Sequence, residues 1–238
     1  MAILSELSRL MLSQGTLMLV TVAAFEAGRR LQRWAGGTPL VHPVPIAIGL
    51  VIAYLALTGT PYDVYLRGTD LLVFVLGVAV VALALPLYDN LHRIRGAAPA
   101  VMAGVAAAAV TAAISAGLTA WAFGATPEVL QSLLAKSVTA GVAVGISQQI
   151  GGFPALTAVL TIATGILGAM LSGPIFRLCR VEDWEARGIA TGSVSHAIGT
   201  AQLLTVSETG GAFAGLGIVL NALLTGIALP LAVRFLGF

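Results

Sequence analysis

Long apolar stretches alternate with short polar links along the whole chain. The apolar units run over about residues 10–28, 44–60, 69–88, 97–124, 129–151, 153–178, 186–205 and 211–236. The separators are Gly36-Gly37-Thr38-Pro39, Thr58-Gly59-Thr60-Pro61, Asp89-Asn90-Leu91-His92-Arg93, Thr126-Pro127, Gly151-Gly152-Phe153-Pro154 and the charged stretch from Arg177 to Arg187. Gly and Pro end helices, so each separator is a break between elements. About 20 apolar residues cross a hydrocarbon core of about 30 Å as a helix. A membrane barrel would need period-two alternation, and none is visible. The pattern predicts an all-α, polytopic integral membrane helical bundle. About seven to eight membrane segments are expected within one transmembrane domain over residues 1–238.

Composition agrees with that reading. Apolar residues make up 58% of the 238 residues and charged residues 9%, with a mean hydropathy of +0.99, whereas soluble domains carry about 25% charge. Residues 34–62, 71–88, 96–127, 137–176, 188–207 and 209–233 contain no Asp, Glu, Lys or Arg. The net charge of +2, from 11 Arg and one Lys against 10 acids, offers no basic patch for nucleic acid. Cys179 stands alone, so no internal disulfide is expected, and no Cys/His spacing suggests a metal. No cofactor is implied. Met1 to Gln14 lacks a basic region followed by an apolar stretch and a cleavage site, so the chain is expected to be mature from its first residues. Any activity then sits among membrane lipid, inside the bilayer or at its surface, and a multi-pass protein of the cell (inner) membrane is expected.

Arginine placement bears on topology. Arg29, Arg30 and Arg33 follow the first unit, Arg93 and Arg95 the third, and Arg177, Arg180 and Arg187 surround the link after the sixth. With every unit a full span, the last cluster falls on the face opposite the first two, against the positive-inside bias. The conflict vanishes if one unit between Gly96 and Phe176 does not cross. The candidate is 129–151, which holds Lys136, Ser137, Thr139, Ser147, Gln148 and Gln149. A re-entrant or broken helix suits it, because irregular backbone survives at membrane depth only inside protein or beside water. Alternatively the last link carries little bias, since Glu182, Asp183 and Glu185 accompany its arginines.

Lys136 is the only lysine and opens a 40-residue stretch, 137–176, with no other charge. A cation at membrane depth costs about 2.5–3.5 kcal/mol on insertion scales. It either snorkels toward headgroups or has a task. Ser137, Thr139 and Gly141 beside it favour a broken-helix anion site, where free N–H groups and a positive helix end meet a negative ligand. The second constellation runs Thr191-Gly192-Ser193-Val194-Ser195-His196-Ala197-Ile198-Gly199-Thr200. Its imidazole suits proton coupling or a hydrogen bond to a carboxylate, or else one interhelical hydrogen bond. Paired interrupted segments are a sequence pointer to a transporter site.

Other polar groups carry plainer readings. Glu26 stands three and four residues before Arg29 and Arg30, at helix-surface ion-pair spacing. Gln148 and Gln149 either line a cavity or cap the break before Gly151. Glu208 is a loop carboxylate or a coupling group, Asn221 is a helix–helix contact, and Asp63, Asp70 and Asp89 are solvated. An enzyme is not expected: Ser195 and His196 are sequence neighbours, so on a helix they point about 100° apart, out of mutual reach.

Several of these segments resemble one family. Lys136-Ser137-Val138-Thr139, Gln149-Ile150-Gly151-Gly152-Phe153-Pro154-Ala155-Leu156-Thr157-Ala158-Val159, Thr164-Gly165-Ile166-Leu167-Gly168-Ala169 and Ala186-Arg187-Gly188 leading to Ser195-His196-Ala197-Ile198-Gly199-Thr200-Ala201 resemble the LrgB family of membrane proteins. His42-Pro43-Val44, Thr58-Gly59 and Ala84-Leu85-Pro86-Leu87-Tyr88 extend the resemblance over nearly the whole chain. The family includes antiholin-like bacterial proteins, which work with a smaller LrgA/CidA-type membrane protein, and the plant plastidial glycolate/glycerate translocator. The chain departs from the family pattern at Ala140-Gly141, where Thr-Pro often follows the lysine motif, and at Gln202, where an arginine often stands.

The resemblance implies a carrier for small monocarboxylates of the glycolate, glycerate, pyruvate and lactate class, with proton coupling and assembly as a homo-oligomer as further expectations. Lys136, Ser137, Thr139, Gln149, Ser195, His196 and Thr200 are the expected substrate-binding residues, and His196 and Glu208 the coupling candidates. The alternative it implies is an antiholin-like regulatory or structural partner of a small holin-like membrane protein, controlling lysis or murein hydrolase activity.

Overall fold

The computed structural model describes residues 14–38, 41–82 and 84–236. The expected start of the first apolar unit at residue 10, residues 1–13 of the N-terminal stretch read as lacking a leader, and Pro39 of the first separator lie outside them. Every regular element among the described residues is a helix. The chain divides into two compact units, residues 1–82 and 83–238.

The first unit holds α1 (Gln14–Trp34), α2 (Pro43–Thr58), α3 (Tyr62–Gly68) and α4 (Asp70–Ala82). Pro43 opens α2 with its φ already helical, and the His42 ring caps it by accepting from the Val44 N–H at 3.3 Å. Gly59 closes α2 in the left-handed conformation, φ 64°. α1 can approach α2 because residue 28 has no side chain: a Cβ there would stand 2.6 Å from the Pro43 carbonyl oxygen. Thr21 and Tyr65 share a hydroxyl hydrogen bond of 2.9 Å between α1 and α3. Glu26 pairs with Arg29, Arg30 and Arg33 at 3.4, 3.2 and 3.1 Å. These bonds fix the side chains of one exposed helix face, the surface role its spacing predicts.

The second unit holds α5 (Ala84–Asp89), α6 (Leu91–Ala122), α7 (Pro127–Leu134), α8 (Ala140–Ile150), α9 (Pro154–Leu178), α10 (Trp184–Leu204) and α11 (Glu208–Leu236). Among the described residues three helices are long and apolar enough to cross a membrane: α6, α9 and α11. The shorter α2 is apolar but has only 16 residues. Among the described residues, length and composition thus leave the expected count of seven to eight segments unconfirmed. Segment 129–151 divides into two shorter helices, α7 and α8, joined by the 135–139 turn.

α10 and α11 are the most intimately packed pair. A Cβ on Gly188 would come within 2.5 Å of the Gly210 carbonyl oxygen, one on Gly192 would overlap the Ala214 carbonyl, and one on Gly217 would reach within 3.0 Å of the Ile189 carbonyl oxygen. Lipid tails are as apolar as Leu, so helix association in a bilayer rests on such close packing and on polar contacts. α6 lies on the same pair through Val101 and Val105, which pack with Ile189 and Phe213. On the other side, Ala135, Val138, Ala143, Ile146 and Ile150 pack against Leu229 and Val233 of α11. Large apolar side chains such as Trp121, Phe123, Leu223 and Ile227 face outward, as lipid-facing surfaces require.

Candidate functional site

The first polar constellation is a helix break. Pro127 opens α7, which ends at Leu134, and the chain turns through residues 135–139 before α8 starts at Ala140. Thr139 occupies the N-cap of α8, and its carbonyl accepts from the Ala143 N–H at 2.9 Å, while its hydroxyl makes no cap bond. α8 stops at Gly151, whose φ of 93° only glycine adopts readily. The expectation of a broken helix in 129–151 is met by this helix–turn–helix.

A hydroxyl cluster fixes that hairpin to α9. Ser132 Oγ accepts from the Phe153 N–H at 2.7 Å, so the α7 side chain caps the start of α9. The Thr157 hydroxyl lies 2.7 Å from Ser147 Oγ and 3.2 Å from the Ser132 carbonyl oxygen. Gly152 makes the approach possible, since a Cβ there would meet Ser147 Oγ at 2.5 Å and the Ser132 backbone nitrogen at 2.9 Å.

The second constellation is also interrupted. Asp183 caps α10 by accepting from the Ala186 N–H at 2.8 Å, but at His196 the backbone leaves helical geometry with φ 50° and ψ −143°. The next turn resumes with the Thr200 hydroxyl donating to the His196 carbonyl at 2.8 Å. Gly165 of α9 faces this break: a Cβ there would sit 3.4 Å from His196 Cδ2 and from the Ser195 carbonyl oxygen. Thr161 stands one turn earlier on the same stripe of α9.

The two breaks meet. The His196 ring approaches the Lys136 backbone, and Asn221 of α11 donates through Nδ2 to the Ser137 carbonyl at 2.6 Å and the Ser193 carbonyl at 2.9 Å. Lys136 is half-buried, and among the described residues no carboxylate forms an ion pair with it. Around the breaks Thr139 Oγ1, Thr161 Oγ1, Thr191 Oγ1, Ser193 Oγ and His196 Nε2 are buried without a hydrogen-bond partner. An unmade buried hydrogen bond costs about 1–3 kcal/mol. These five groups lie on the segments that carry the two breaks and on the α9 face beside them.

The expected residues separate into two sets. Lys136, Ser137, Thr139, Ser195, His196 and Thr200 lie along the two breaks, with Ser137, Ser195, His196 and Thr200 buried. Gln149 is exposed on α8, about 200° around the helix from the inward Ser147. Glu208 is exposed in the first turn of α11. Thr161 was not anticipated, although Thr157, Thr161, Gly165 and Gly168 recur at helical spacing along α9 and mark the inward stripe. An apolar groove of about 500 Å³ between α6, α7 and α11, lined by Leu118, Trp121, Leu134 and Leu229, is separate from this polar interior.

Comparison with known proteins adds a family context. The model of the LrgB-like family matches residues 21–235. The chain is 32% identical over 217 residues to the Holin-like protein CidB of Staphylococcus aureus strain Mu50, covering 91% of this chain and 94% of that one. It is 30% identical over 217 residues to the Holin-like protein CidB of Staphylococcus epidermidis, with the same coverage. It is also 30% identical over 223 residues to the uncharacterised protein YwbG of Bacillus subtilis, covering 93% and 97%. No solved structure matches the chain.

Proposed function

The chain belongs to the LrgB-like family, and from that premise we propose that it is a secondary transporter of small monocarboxylates. It is a multi-pass membrane protein. The observation that supports transport is the meeting of two helix breaks, one of which carries the sole lysine, with buried unpartnered groups such as Thr139 Oγ1, Ser193 Oγ and His196 Nε2 along them. A carboxylate of the glycolate, glycerate, pyruvate or lactate class docks there. Lys136 and the N-terminal backbone of α8 neutralise it, Thr139, Ser193 and His196 orient it, and His196 or Glu208 carries the coupling proton. Discontinuous helices with their ends at the substrate are the usual construction of secondary transporters.

The test is uptake of labelled carboxylates by the purified protein in liposomes at two pH values. Lys136→Ala and His196→Ala should each lose uptake, and normal uptake by both variants removes them from the site.

The names of the staphylococcal relatives favour a second reading more directly than the first. In it the chain is a structural or regulatory partner of a small holin-like membrane protein of the LrgA/CidA type, acting on lysis or murein hydrolase activity. Reconstitution with and without such a partner separates the two. Uptake by the isolated chain supports the carrier, and activity only with the partner supports the second reading.

A further inference from the structure

The two breaks are held by different neighbours. The α7–α8 hairpin is tied to α9 by the Ser132, Ser147 and Thr157 hydroxyls. The first half of α10 is tied to α11 by backbone contact at Gly188, Gly192 and Gly217, where no side chain intervenes. Each break thus has its own closest tie, although the hairpin also packs on α11 in the cluster of Ala135, Val138, Ile146, Leu229 and Val233. Where the two groups face each other at the breaks, the α9 surface is Gly165 and Gly168 against Ser195 and His196. Small residues there give close contact without interlocking side chains.

Asn221 is a polar group that bonds to both. Its Nδ2 has two protons and uses one on Ser137 O, in the first break, and one on Ser193 O, just ahead of the second. The orientation of the amide is fixed from behind by Thr225, whose hydroxyl donates to Asn221 Oδ1 at 3.2 Å. Asn221 and Thr225 are buried, so water does not replace either bond. The bond to Ser193 lies within the tightly packed α10–α11 pair, and the bond to Ser137 crosses to the other group.

We propose that Asn221 is the positioning residue of the site, holding the 135–139 turn and the His196 break in one register so that Lys136 and the unpartnered hydroxyls face the same ligand. For its functional meaning this rests on the carboxylate reading above; the geometric part stands without it. Loss of the amide leaves both breaks intact but lets one group shift against the other. Carboxylate binding then weakens before the maximal rate falls, because the binding groups are present but no longer preorganised.

The test uses the full chain in nanodiscs with the exposed Cys179 replaced by Ser and spin labels at Gln148→Cys and Val206→Cys, both exposed positions, one on each group. Electron–electron distance measurements on this parent should give one narrow distribution. Asn221→Leu, of similar volume but unable to donate, should add a second population. Thr225→Val, which only releases the amide, should do the same to a smaller extent and, in liposomes, raise the KM for pyruvate by about fivefold, the factor for one neutral hydrogen bond, with the maximal rate retained. If Asn221→Leu does not fold, Thr225→Val decides alone. Folded variants that keep the parent distribution overturn the proposal, whatever their uptake. If the parent itself takes up no carboxylate, the transport reading falls and the distance distributions still decide the role of Asn221.

Discussion

The Asn221 side-chain amide donates to the Ser137 carbonyl at 2.6 Å, across 84 residues of sequence. In water that bond would contribute little. Inside a helical membrane bundle it satisfies a carbonyl that a helix break leaves without a partner, and breaks of this kind are tolerated only where protein or a cavity supplies one. The polar interior thus depends on a long-range bond for its shape and on local sequence for its chemistry.

Lys136 should trade stability for activity. It is half-buried and pairs with no carboxylate among the described residues, and its removal relieves the cost of holding a cation at depth. Lys136→Met is expected to raise the unfolding free energy by about 1–3 kcal/mol and to abolish carboxylate uptake. Thermal unfolding in detergent beside liposome uptake measures both. A less stable variant would mean that the ammonium is held by groups that stabilise it.

The hydroxyl cluster is expected to be structural. Thr157→Val keeps shape but leaves Ser147 Oγ without the hydroxyl 2.7 Å away, for a loss of about 1–3 kcal/mol. Thr157→Ser, which keeps the hydroxyl, should recover most of it. Equal losses in the two variants would point to packing of the methyl group instead.

How much of this was legible in the sequence follows from the range of each interaction. The 135–139 break could be read because Lys136, Ser137 and Thr139 are polar groups in an apolar run, a local signal. The break at His196 was placed only to a segment. Its glycines, 192 and 199, serve close approach to Ala214 and to Ser195 with Thr191, and the non-helical residue is His196 itself. Gln149 was assigned inward, but α8 has polar groups on both faces, and only its docking on α9 through Ser147 fixes which face is buried. Asn221 was readable as a helix contact. Its two partners, 84 and 28 residues away, were not, since nothing in a single apolar run specifies what crosses it.

His42 carries an acid sensitivity outside the spanning helices. Burial lowers its pKa below the usual 6.5, and its Nδ1 accepts the capping bond from Val44 only while unprotonated. The unfolded chain therefore binds the proton more readily than the folded one. The His42 contribution should be complete above about pH 6.5 and decline as pH falls below it, levelling off once the folded ring also protonates. His42→Asn retains a capping side chain and should flatten stability against pH over that window. A parent-like slope in the variant assigns the sensitivity to another group.

The His196 backbone gives a prediction whose sign is opposite to the helical rule. Inside a helix, Ala is favoured over Gly by about 1 kcal/mol. At φ 50° and ψ −143°, an L-residue is strained by about 1–3 kcal/mol, and glycine is not. His196→Gly and His196→Ala both remove the imidazole, so each should lose carboxylate uptake, and their difference in stability isolates the backbone. His196→Gly should be the more stable of the two by about 1 kcal/mol or more, read as a higher unfolding temperature in detergent. If His196→Ala is the more stable, the segment is a continuous helix in solution. The interrupted-helix site, with its freed backbone groups near Lys136, would then lose one of its two halves.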